Sequence, residues 1–332
     1  MIVNPYITQI MKTKKLSLFL FSLLFSSFTF VSCSSDSSGM DDDSGNVNSS
    51  PSSGVIPENS DSGKNNSSEP DNVSGSSGDQ NNNEGDDSNS SSSSWQLVFE
   101  DNFEDTDSIP DTSKWSLAPK GDDTWNRHMS ESYGQAYQKN GYLYLFGMMV
   151  DDEYLTGGIE TRNKYDFTYG QVKCRARFLR QPQGNHTGIW MMPEPPAEKW
   201  PRSGEIDIME HLNDEDIVYE TVHNWWADGL DHADDPKNRS TASIDNDEFN
   251  VYGIIWTQDS ITFTVNGKVS FTYKNEKLEG DDGFYQWPFT KPFYLILSQS
   301  LGGADTWEGA IDNDELPAIF QIDWIKVWQK TE

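Results

Sequence analysis

The sequence predicts an all-β sandwich domain over residues 95–332. Short segments that alternate apolar and polar residues recur along this part of the chain, and Gly, Pro, Asn and Asp separate them. No long stretch places its apolar residues at the helical period of about 3.6 residues. Nearly all of the aromatic residues also lie here, and two packed sheets would bury many of them in one core.

The alternation defines the expected strands in chain order. They cover residues 95–103, 141–149, 156–162, 170–179, 186–192, 205–211, 218–226, 249–256, 260–273, 293–300 and 320–329. Each is short and is bounded by residues that favour turns, as in sandwich domains.

Asn266-Gly267 is a strong hairpin signal within the segment 260–273. A two-residue turn would place Val265 opposite Lys268. The apolar alternation instead favours Val265 opposite Val269. We therefore expect a three-residue loop with a bulge at this hairpin.

The charge of the chain limits its partners. The 332 residues carry a net charge of −30, and residues 95–332 carry −22 of it. Such a surface disfavours nucleic acid and polyanions bound along broad patches, and it favours a neutral or sparsely charged polymer. We also expect so negative a domain to be a monomer.

Residues 1–33 are expected to be a lipoprotein signal peptide. Three lysines and no acidic residue come before Leu16, and the apolar run that ends at Val31 is shorter than the roughly 20 residues of a membrane span. The run ends at Cys33 after a small residue, which resembles a bacterial lipoprotein signal with Cys33 as the lipidated residue. Simple cleavage is the alternative, and Met11 is an alternative start.

Residues 34–94 are expected to be a disordered tether. They are mostly Ser, Asn, Gly and Asp, with almost no aromatic or β-branched residue, so they cannot bury enough apolar surface to fold. The acidic run 41–43 resembles the signal that sends Bacteroides-type lipoproteins to the outer face of the outer membrane. The expected location is therefore the cell outer membrane, with the anchored domain facing outward.

Cys174 is then the single cysteine of residues 95–332. It lies in the alternating segment 170–179 with no histidine beside it. We expect a buried structural thiol and no disulfide in the domain.

Three acids lie close together in Gly204-Glu205-Ile-Asp207-Ile-Met-Glu210. Large apolar residues between them favour a strand. On a regular strand Glu205 and Asp207 share one face and Glu210 points to the other. A β-bulge between Asp207 and Glu210 would bring all three to one face, and bulges are frequent beside active sites. An acidic sheet edge without chemistry is the alternative.

Two acids on one strand with a third between them suit double-displacement hydrolysis of a glycosidic bond. One carboxylate attacks the anomeric carbon, and the other donates a proton to the leaving oxygen and later activates water. A negative Asp207 between them would hydrogen-bond the nucleophile and raise the proton affinity of the acid/base by like-charge repulsion.

The acidic segment resembles the signature of glycoside hydrolase family 16 in its bulged E-x-D-x-x-E branch. The family includes laminarinases, agarases, porphyranases and mucin-glycan endo-glycanases, and the resemblance spans nearly all of residues 95–332. The matching pieces are, in chain order, Thr161-Arg162, Phe167-Thr-Tyr-Gly170, Gly188-Ile-Trp190-Met-Met-Pro193, Trp200-Pro-Arg-Ser-Gly-Glu205-Ile-Asp207-Ile-Met-Glu210-His, Thr221-Val-His223 and Asp323-Trp-Ile-Lys-Val-Trp328.

The resemblance implies a concanavalin-like jelly roll, in which two curved antiparallel sheets hold the substrate across a concave face. It implies that Glu205 is the nucleophile, Glu210 the acid/base and Asp207 their helper. The expected separation of the Glu205 and Glu210 carboxyl groups is about 5–5.5 Å, with retention at the anomeric carbon.

Further substrate-binding candidates come from stacking chemistry and from positions that match the family. Trp200 would stack on a sugar beside the cleaved bond, and His223 would lie near the leaving group. A core position is the alternative for each Trp, and one of Trp225 and Trp226 should point inward. The remaining candidates are Asn126, Arg162, Trp190, Trp226 and Gln299.

The expected activity is that of an endo-acting retaining β-glycosidase that requires no cofactor for catalysis. Glucan-cleaving members often carry Asn-Asn-Glu near the stretch that here reads Trp125-Asn126-Arg127-His128. This departure favours a galactose-containing chain, such as an O-linked mucin or keratan-type glycan or an algal galactan. An endo-β-1,3-glucanase or mixed-linkage glucanase, and a non-catalytic glycan-binding module, are the alternatives.

The resemblance also implies a candidate site for a structural calcium ion. Asp323, with backbone carbonyls near Glu100 and Gly141, matches a calcium site on the convex face of many family members, and hard oxygen ligands suit calcium. The sequence contains no Cys/His cluster for zinc and no phosphate-binding loop after a strand.

Overall fold

The computed structural model describes residues 94–104, 108–195 and 197–331. The expected signal peptide, its lipidated Cys33 and nearly all of the expected tether lie outside these residues. None of the helices in the described ranges is long and apolar enough to cross a membrane.

The described residues form two antiparallel sheets. The first sheet contains β1 (Trp95–Asp101), β3 (Ala136–Lys139), β4 (Tyr142–Val150), β5 (Glu153–Thr156), β8 (Gly170–Arg180), β13 (Asn250–Trp256), β14 (Ser260–Val265), β15 (Lys268–Lys274) and β17 (Ala318–Lys330). The second contains β2 (Ser116–Leu117), β6 (Gly158–Glu160), β7 (Asp166–Phe167), β9 (Asn185–Pro193), β10 (Glu205–Leu212), β11 (Ile217–His223), β12 (Arg239–Ser243) and β16 (Phe293–Leu301).

Non-consecutive strands are neighbours in both sheets. The main order of the first is β15-β14-β13-β8-β17-β4-β3, and that of the second is β12-β11-β10-β9-β16-β6-β2. The helix α1 (Gly280–Gln286), a π-helical turn (Trp225–Gly229) and a 3-10 turn (Asn313–Glu315) lie between strands. The predicted all-β sandwich is confirmed.

The core lies between the sheets because each strand turns alternate side chains inward. On β8 the inward residues are Val172, Cys174, Ala176 and Phe178, all buried. Cys174 is a free buried thiol, as expected. On β10 the core receives Ile206, Ile208 and Met209, so the opposite face of this strand is the outer face of the second sheet.

The hairpin between β14 and β15 differs from the expected one. Val265 pairs with Lys268, so Asn266 and Gly267 form a two-residue turn with φ of 52° and 77°. Two positive φ values are those of a type I′ turn, which suits the twist of a hairpin. The irregularity lies farther along, between Phe263 and Thr264. The prediction of a three-residue loop was wrong because the preference of Asn-Gly for a two-residue turn outweighs the pairing of Val265 with Val269. The irregularity between Phe263 and Thr264 restores the apolar pairing of Phe263 with Phe271.

The expected strand 218–226 is also too long. β11 ends at His223, and Trp225 and Trp226 lie on the π-helical turn. The Asn224 side chain begins this turn by accepting a hydrogen bond from the Ala227 backbone N–H at 2.8 Å. The expectation that strand alternation would direct Trp225 and Trp226 to opposite faces was therefore wrong.

The turn geometry predicts the effect of replacing Gly267 by alanine. A Cβ at Gly267 would meet no atom within 4 Å, so the cost comes from its φ of +77° alone. We expect Gly267→Ala to lower the free energy of unfolding by about 1 kcal/mol, measured by urea unfolding. Gly134→Ala is the matched control, because the φ of Gly134 lies outside the left-handed region and an added Cβ would meet one side-chain atom, Ser132 Oγ, at an ordinary contact distance of 3.4 Å. Equal stability of the two variants would contradict the proposed strain.

Candidate active site

A β-bulge on β10 brings the three acids to the outer face. Glu205 pairs with His223 and Asp207 with Thr221, but the next pair joins Glu210 to Tyr219. Against β9 the irregularity lies between Asp207 and Met209. Ile208 is thus the extra residue, and Ile208 and Met209 both pack in the core. The predicted bulge between Asp207 and Glu210 is confirmed, and it places Glu210 on the same face as Glu205 and Asp207.

Trp200 lies over the Glu205 end of this row. Its indole Nε1–H donates a hydrogen bond to Glu205 Oε2 at 2.7 Å, and its ring centroid is 5.7 Å from that of His223. The ring remains 50% exposed. Trp200 therefore fixes one carboxylate oxygen and presents an aromatic face to solvent beside it.

Asp207 is the most deeply buried of the three acids. Burial raises the pKa of Asp207 well above its usual range, and the nearby charges of Glu205 and Glu210 raise it further. Hydrogen bonding between the two side chains lowers the pKa of Glu205 and raises that of Asp207, so these shifts favour Asp207 as the protonated member of the pair. Desolvation thus favours a neutral Asp207 that donates to Glu205, and the expected negative Asp207 stays a prediction.

Burial also raises the pKa of Glu205, and the charge of Glu210 acts in the same direction. His223 opposes this effect, as do the hydrogen bonds from Trp200 and Asp207. The Glu205 carboxylate thus has three partners that stabilise its negative charge, as a nucleophile requires.

His223 is held between two acids. Its Nε2 is 3.5 Å from Asp207 Oδ2, and its Nδ1 is 3.1 Å from Asp228 Oδ1. Burial alone would lower the pKa of His223, but the hydrogen bond to Asp228 and the charges of Glu205, Asp228 and Glu210 outweigh it and raise the pKa to about 9. His223 is therefore an imidazolium cation at neutral pH, and Asp228 reaches it because the π-helical turn folds back onto β11.

Within the described residues, Glu205, Asp207 and His223 form the one group of three His, Cys, Asp or Glu side chains whose donor atoms lie within 4.8 Å of one another. A protonated imidazole has no lone pair for a metal. Because the pKa of His223 is about 9, its imidazolium is charged at neutral pH and pairs with the acids of this group.

Glu210 contacts a different histidine. Its Oε1 is 3.1 Å from His186 Nε2, and His186 is itself buried on β9. The Nδ1 of the same ring lies 3.1 Å from Ser300 Oγ and 3.8 Å from Glu308 Oε1. Tyr219, the strand partner of Glu210, packs edge-on against the exposed ring of Trp307.

An aromatic cluster continues the outer face beyond the acids. Trp190, the β9 partner of Asp207, packs with Tyr294 and Ile296 of β16 and has Trp125 edge-on at 4.7 Å. Its Nε1–H donates to Ser298 Oγ at 3.0 Å. The ring of Trp190 is thus buried beneath this face, with Trp125 packed against it.

Arg162 lies at the same cluster, with its guanidinium 5.7 Å from the Tyr294 ring centroid. Asn126 is nearly buried in the loop after β2, and its side-chain Oδ1 has no hydrogen-bond partner in the described structure.

Trp226 stacks on His232 at 4.1 Å and donates to the Asp235 carbonyl oxygen at 2.7 Å. Trp226 therefore packs within its own loop.

Gln299 does not lie on the outer face. The side chains of Ser298 and Ser300 contact Trp190 and His186 on that face, so Gln299 between them points into the sandwich. It is fully buried and donates to the carbonyl oxygens of His186 and Ser300, both at 3.1 Å. The expected substrate contact of Gln299 was wrong because strand alternation directs this side chain inward.

The groups expected to bind calcium are engaged by cationic side chains. Arg175 donates to the carboxylate of Asp323. Lys114 Nζ donates to the Glu100 carbonyl oxygen at 2.8 Å, and Lys326 pairs with the Glu100 carboxylate at 3.3 Å. This arrangement does not fit a divalent cation unless these side chains move, and the calcium ion stays a prediction.

The family model of glycosyl hydrolases family 16 matches residues 125–326. A keratan-sulfate endo-1,4-beta-galactosidase of Sphingobacterium multivorum is 37% identical over 246 residues, which are 72% of this chain and 56% of that protein. A beta-glucanase of Rhodothermus marinus is 30% identical over 253 residues, 72% of this chain and 86% of that protein. This chain thus spans little more than half the length of the first relative.

Two solved structures have a fold similar to that of this chain. One comes from work on endo-acting O-glycanases that prominent members of the human gut microbiota express to initiate mucin breakdown. Its TM-score is 0.63 at 29% identity, with 70% of this chain and 98% of that chain covered. The laminarinase of Rhodothermus marinus has a TM-score of 0.63 at 28% identity, covering 72% and 99%.

The jelly-roll fold, the acidic outer face and these relatives define a glycoside hydrolase. More specifically, the chain belongs to glycosyl hydrolases family 16, since the family model matches more than half of its residues.

Several residues at this face were missed from the sequence. Asp228, His186, Glu308 and Trp307 carry no local motif, and each contacts a residue distant in sequence or in a turn. Glu160 on β6 is buried, and burial raises its pKa to about 7. The sequence signal that could have identified Glu160 is its position as an acidic residue within the expected strand 156–162, two residues before Arg162.

The pairing of His223 with Asp228 predicts a pH dependence. Because the pKa of His223 is raised from 6.5 to about 9, its charged form contributes stability that is fully present below pH 6.5 and is lost as the pH rises through 9. Asp228→Asn should lower the pKa of His223, measured by an NMR titration, and should reduce the loss of unfolding free energy between pH 6.5 and 9. Asp231→Asn, at an exposed position, is the control. An unchanged pKa of His223 in Asp228→Asn would contradict this pairing.

Proposed function

We propose that this chain is an endo-acting, retaining β-glycosidase in which Glu205 is the nucleophile, Glu210 the acid/base and Asp207 the residue that orients Glu205. The observation that carries the proposal is the bulge at Ile208, which gives the three acids one common face. Together with the exposed ring of Trp200, this face offers both the reactive groups and a surface for a sugar.

The proposed first step forms a bond between Glu205 and the anomeric carbon. The bond to the leaving oxygen breaks, and that oxygen takes a proton from Glu210. In the second step Glu210 takes a proton from water, the water oxygen bonds to the anomeric carbon, and the Glu205 carboxylate leaves.

Asp207 would act through Glu205. As the neutral acid it donates a hydrogen bond that fixes the orientation of the nucleophile, as Trp200 does from the other side. These hydrogen bonds stabilise the negative Glu205 in the free enzyme and again when it departs in the second step.

Sugar binding is assigned to the exposed ring of Trp200 and to His223 beside it. Asn126 is the proposed contact to a sugar hydroxyl, and its buried, unpaired Oδ1 would have to become accessible when substrate binds. Arg162 and the aromatic cluster of Trp190 would extend this surface away from the acids.

Replacement of the nucleophile tests the proposal. Glu205→Gln keeps the shape of the side chain but cannot form the covalent bond, so the rate of glycan hydrolysis should fall by at least about 1,000-fold. Binding of the oligosaccharide products, measured by calorimetry, should remain. The matched control is Glu153→Gln, at an exposed position on β5, which should retain full activity. Undiminished hydrolysis by Glu205→Gln would refute the assignment.

A galactose-containing chain is the proposed substrate, namely an O-linked mucin or keratan-type glycan or an algal galactan. The 37% identity with a keratan-sulfate endo-1,4-beta-galactosidase supports a β-1,4-galactosyl linkage. The net charge of −22 on residues 95–332 favours segments with few sulfate groups. The 30% identity with a beta-glucanase supports the alternative of a laminarinase or mixed-linkage glucanase.

A substrate panel separates these alternatives. Laminarin, mixed-linkage glucan, agarose, porphyran, keratan and mucin glycans would be digested and their products separated on a thin-layer plate. We expect oligosaccharides from keratan or mucin glycans at the highest rate, and none with Glu205→Gln. Fastest cleavage of laminarin would contradict the proposed galactose preference. Binding without cleavage of any glycan would indicate the remaining alternative, a glycan-binding module.

We also propose that the enzyme is a monomer held at the outer membrane by lipid on Cys33. The small residue before Cys33 and the acidic run 41–43 support this location. In the native host, Cys33→Ala should release the protein from the membrane fraction and abolish labelling by a fatty-acid analogue. Ser32→Ala, which keeps a small residue before the cysteine, should stay anchored. Membrane retention of Cys33→Ala would contradict the lipid anchor.

A further inference from the structure

Glu210 and Glu308 lie on opposite sides of one buried imidazole. His186 on β9 has its Nε2 3.1 Å from Glu210 Oε1, and its Nδ1 3.8 Å from Glu308 Oε1. Glu308 is only 4% exposed, and its Oε2 has no hydrogen-bond partner in the described structure. A carboxyl group buried without full hydrogen bonding is costly unless a cation or a shared proton compensates it.

The contacts of Ser300 favour hydrogen on the Nδ1 of His186. Its hydroxyl donates to the His186 carbonyl oxygen at 3.3 Å, so its Oγ is free to accept from His186 Nδ1 at 3.1 Å. The negative charge of Glu308 also favours hydrogen on Nδ1. The Nε2 lone pair then faces Glu210 Oε1, and one proton must lie between these two atoms for a hydrogen bond to form.

We propose that His186 is a positioning residue for the acid/base, which shares one proton with Glu210 under the influence of Glu308. This inference rests on the proposed function and adds a source for the proton that reaches the leaving oxygen. Glu308 acts through the imidazole, since it contacts His186 and lies on the side of the ring away from Glu210 Oε1.

The proton balance follows the two steps of the reaction. As Glu205 bonds to the anomeric carbon, the electron pair of the broken bond stays on the leaving oxygen, which takes the proton of the His186 and Glu210 pair. Neutral His186 with hydrogen on Nδ1 and a Glu210 carboxylate remain. In the second step, the proton that Glu210 removes from water restores the pair.

The charges around His186 agree with this role. Burial lowers the pKa of His186, but the hydrogen bond to Glu210 and the charges of Glu210, Glu308 and Glu205 outweigh it and raise the pKa. His211, the other titratable group that influences this region, has its pKa lowered to about 4 by burial and is neutral at working pH. The ring of Trp307 packs at 5.7 Å and carries no charge.

The pairing can be tested by NMR without reference to activity. The ring nitrogens of His186 would be titrated in the wild type, Glu210→Gln, Glu308→Gln and Glu315→Gln, all in the full chain. We expect hydrogen on Nδ1 throughout, and a fall in the pKa of His186 by about one unit or more in Glu210→Gln and Glu308→Gln. Glu315→Gln, at an exposed site, should match the wild type. An unchanged titration in both Glu210→Gln and Glu308→Gln would overturn the inference.

The pH dependence of hydrolysis gives the functional readout. Loss of the shared proton should move the alkaline limb of activity to lower pH in His186→Gln and Glu308→Gln. At alkaline pH the rate on the natural glycan should fall at least about tenfold, because acid catalysis is lost. The rate on a dinitrophenyl glycoside of the product oligosaccharide, whose leaving group needs no proton, should fall less.

The outcomes separate this inference from the proposed function. A wild-type protein that cleaves no glycan would overturn the proposed function. If the wild type is active and both His186→Gln and Glu308→Gln have the same pH profile as the wild type, the proposed role of His186 would be overturned and the proposed function would stand. If His186→Gln fails to fold, Glu308→Gln still decides, since it leaves the imidazole in place.

Discussion

One extra residue in strand β10 determines what the outer face of the second sheet can do. If Ile208 were an ordinary ladder residue and not a bulge, the period of two would direct Glu210 to the core and Met209 to solvent. The bulge leaves a residue without a ladder partner, and burial of both Ile208 and Met209 in the core offsets this loss. The apolar core therefore holds the three acids on one face.

Burial of three acids requires nearby compensation of charge. Two histidines provide it from the neighbouring strands, His223 on β11 and His186 on β9. Each histidine has a further acid behind it, Asp228 in one case and Glu308 in the other. The two ends of the acid row thus have similar partners, and in each pair the fold brings together a strand residue and a loop residue.

The sequence predicted the features that depend on local periodicity. The long strands and the buried Cys174 follow from the alternation of side chains, and the spacing of the acids predicted the bulge. Two-residue strands such as β2 have too few residues for a pattern. Gln299 was misplaced because its orientation depends on the register of β16, and the contact of His186 with Glu308 joins distant parts of the chain that no local pattern connects.

The account depends on Glu205 and Glu210 acting across one sugar ring. The most direct measurement is the anomeric configuration of the first product formed, followed by NMR during hydrolysis of the best substrate. We expect the β-anomer to appear first and then to equilibrate, because a close pair of carboxyl groups retains configuration through a covalent intermediate. Initial appearance of the α-anomer would require a water between more distant acids and would contradict the account.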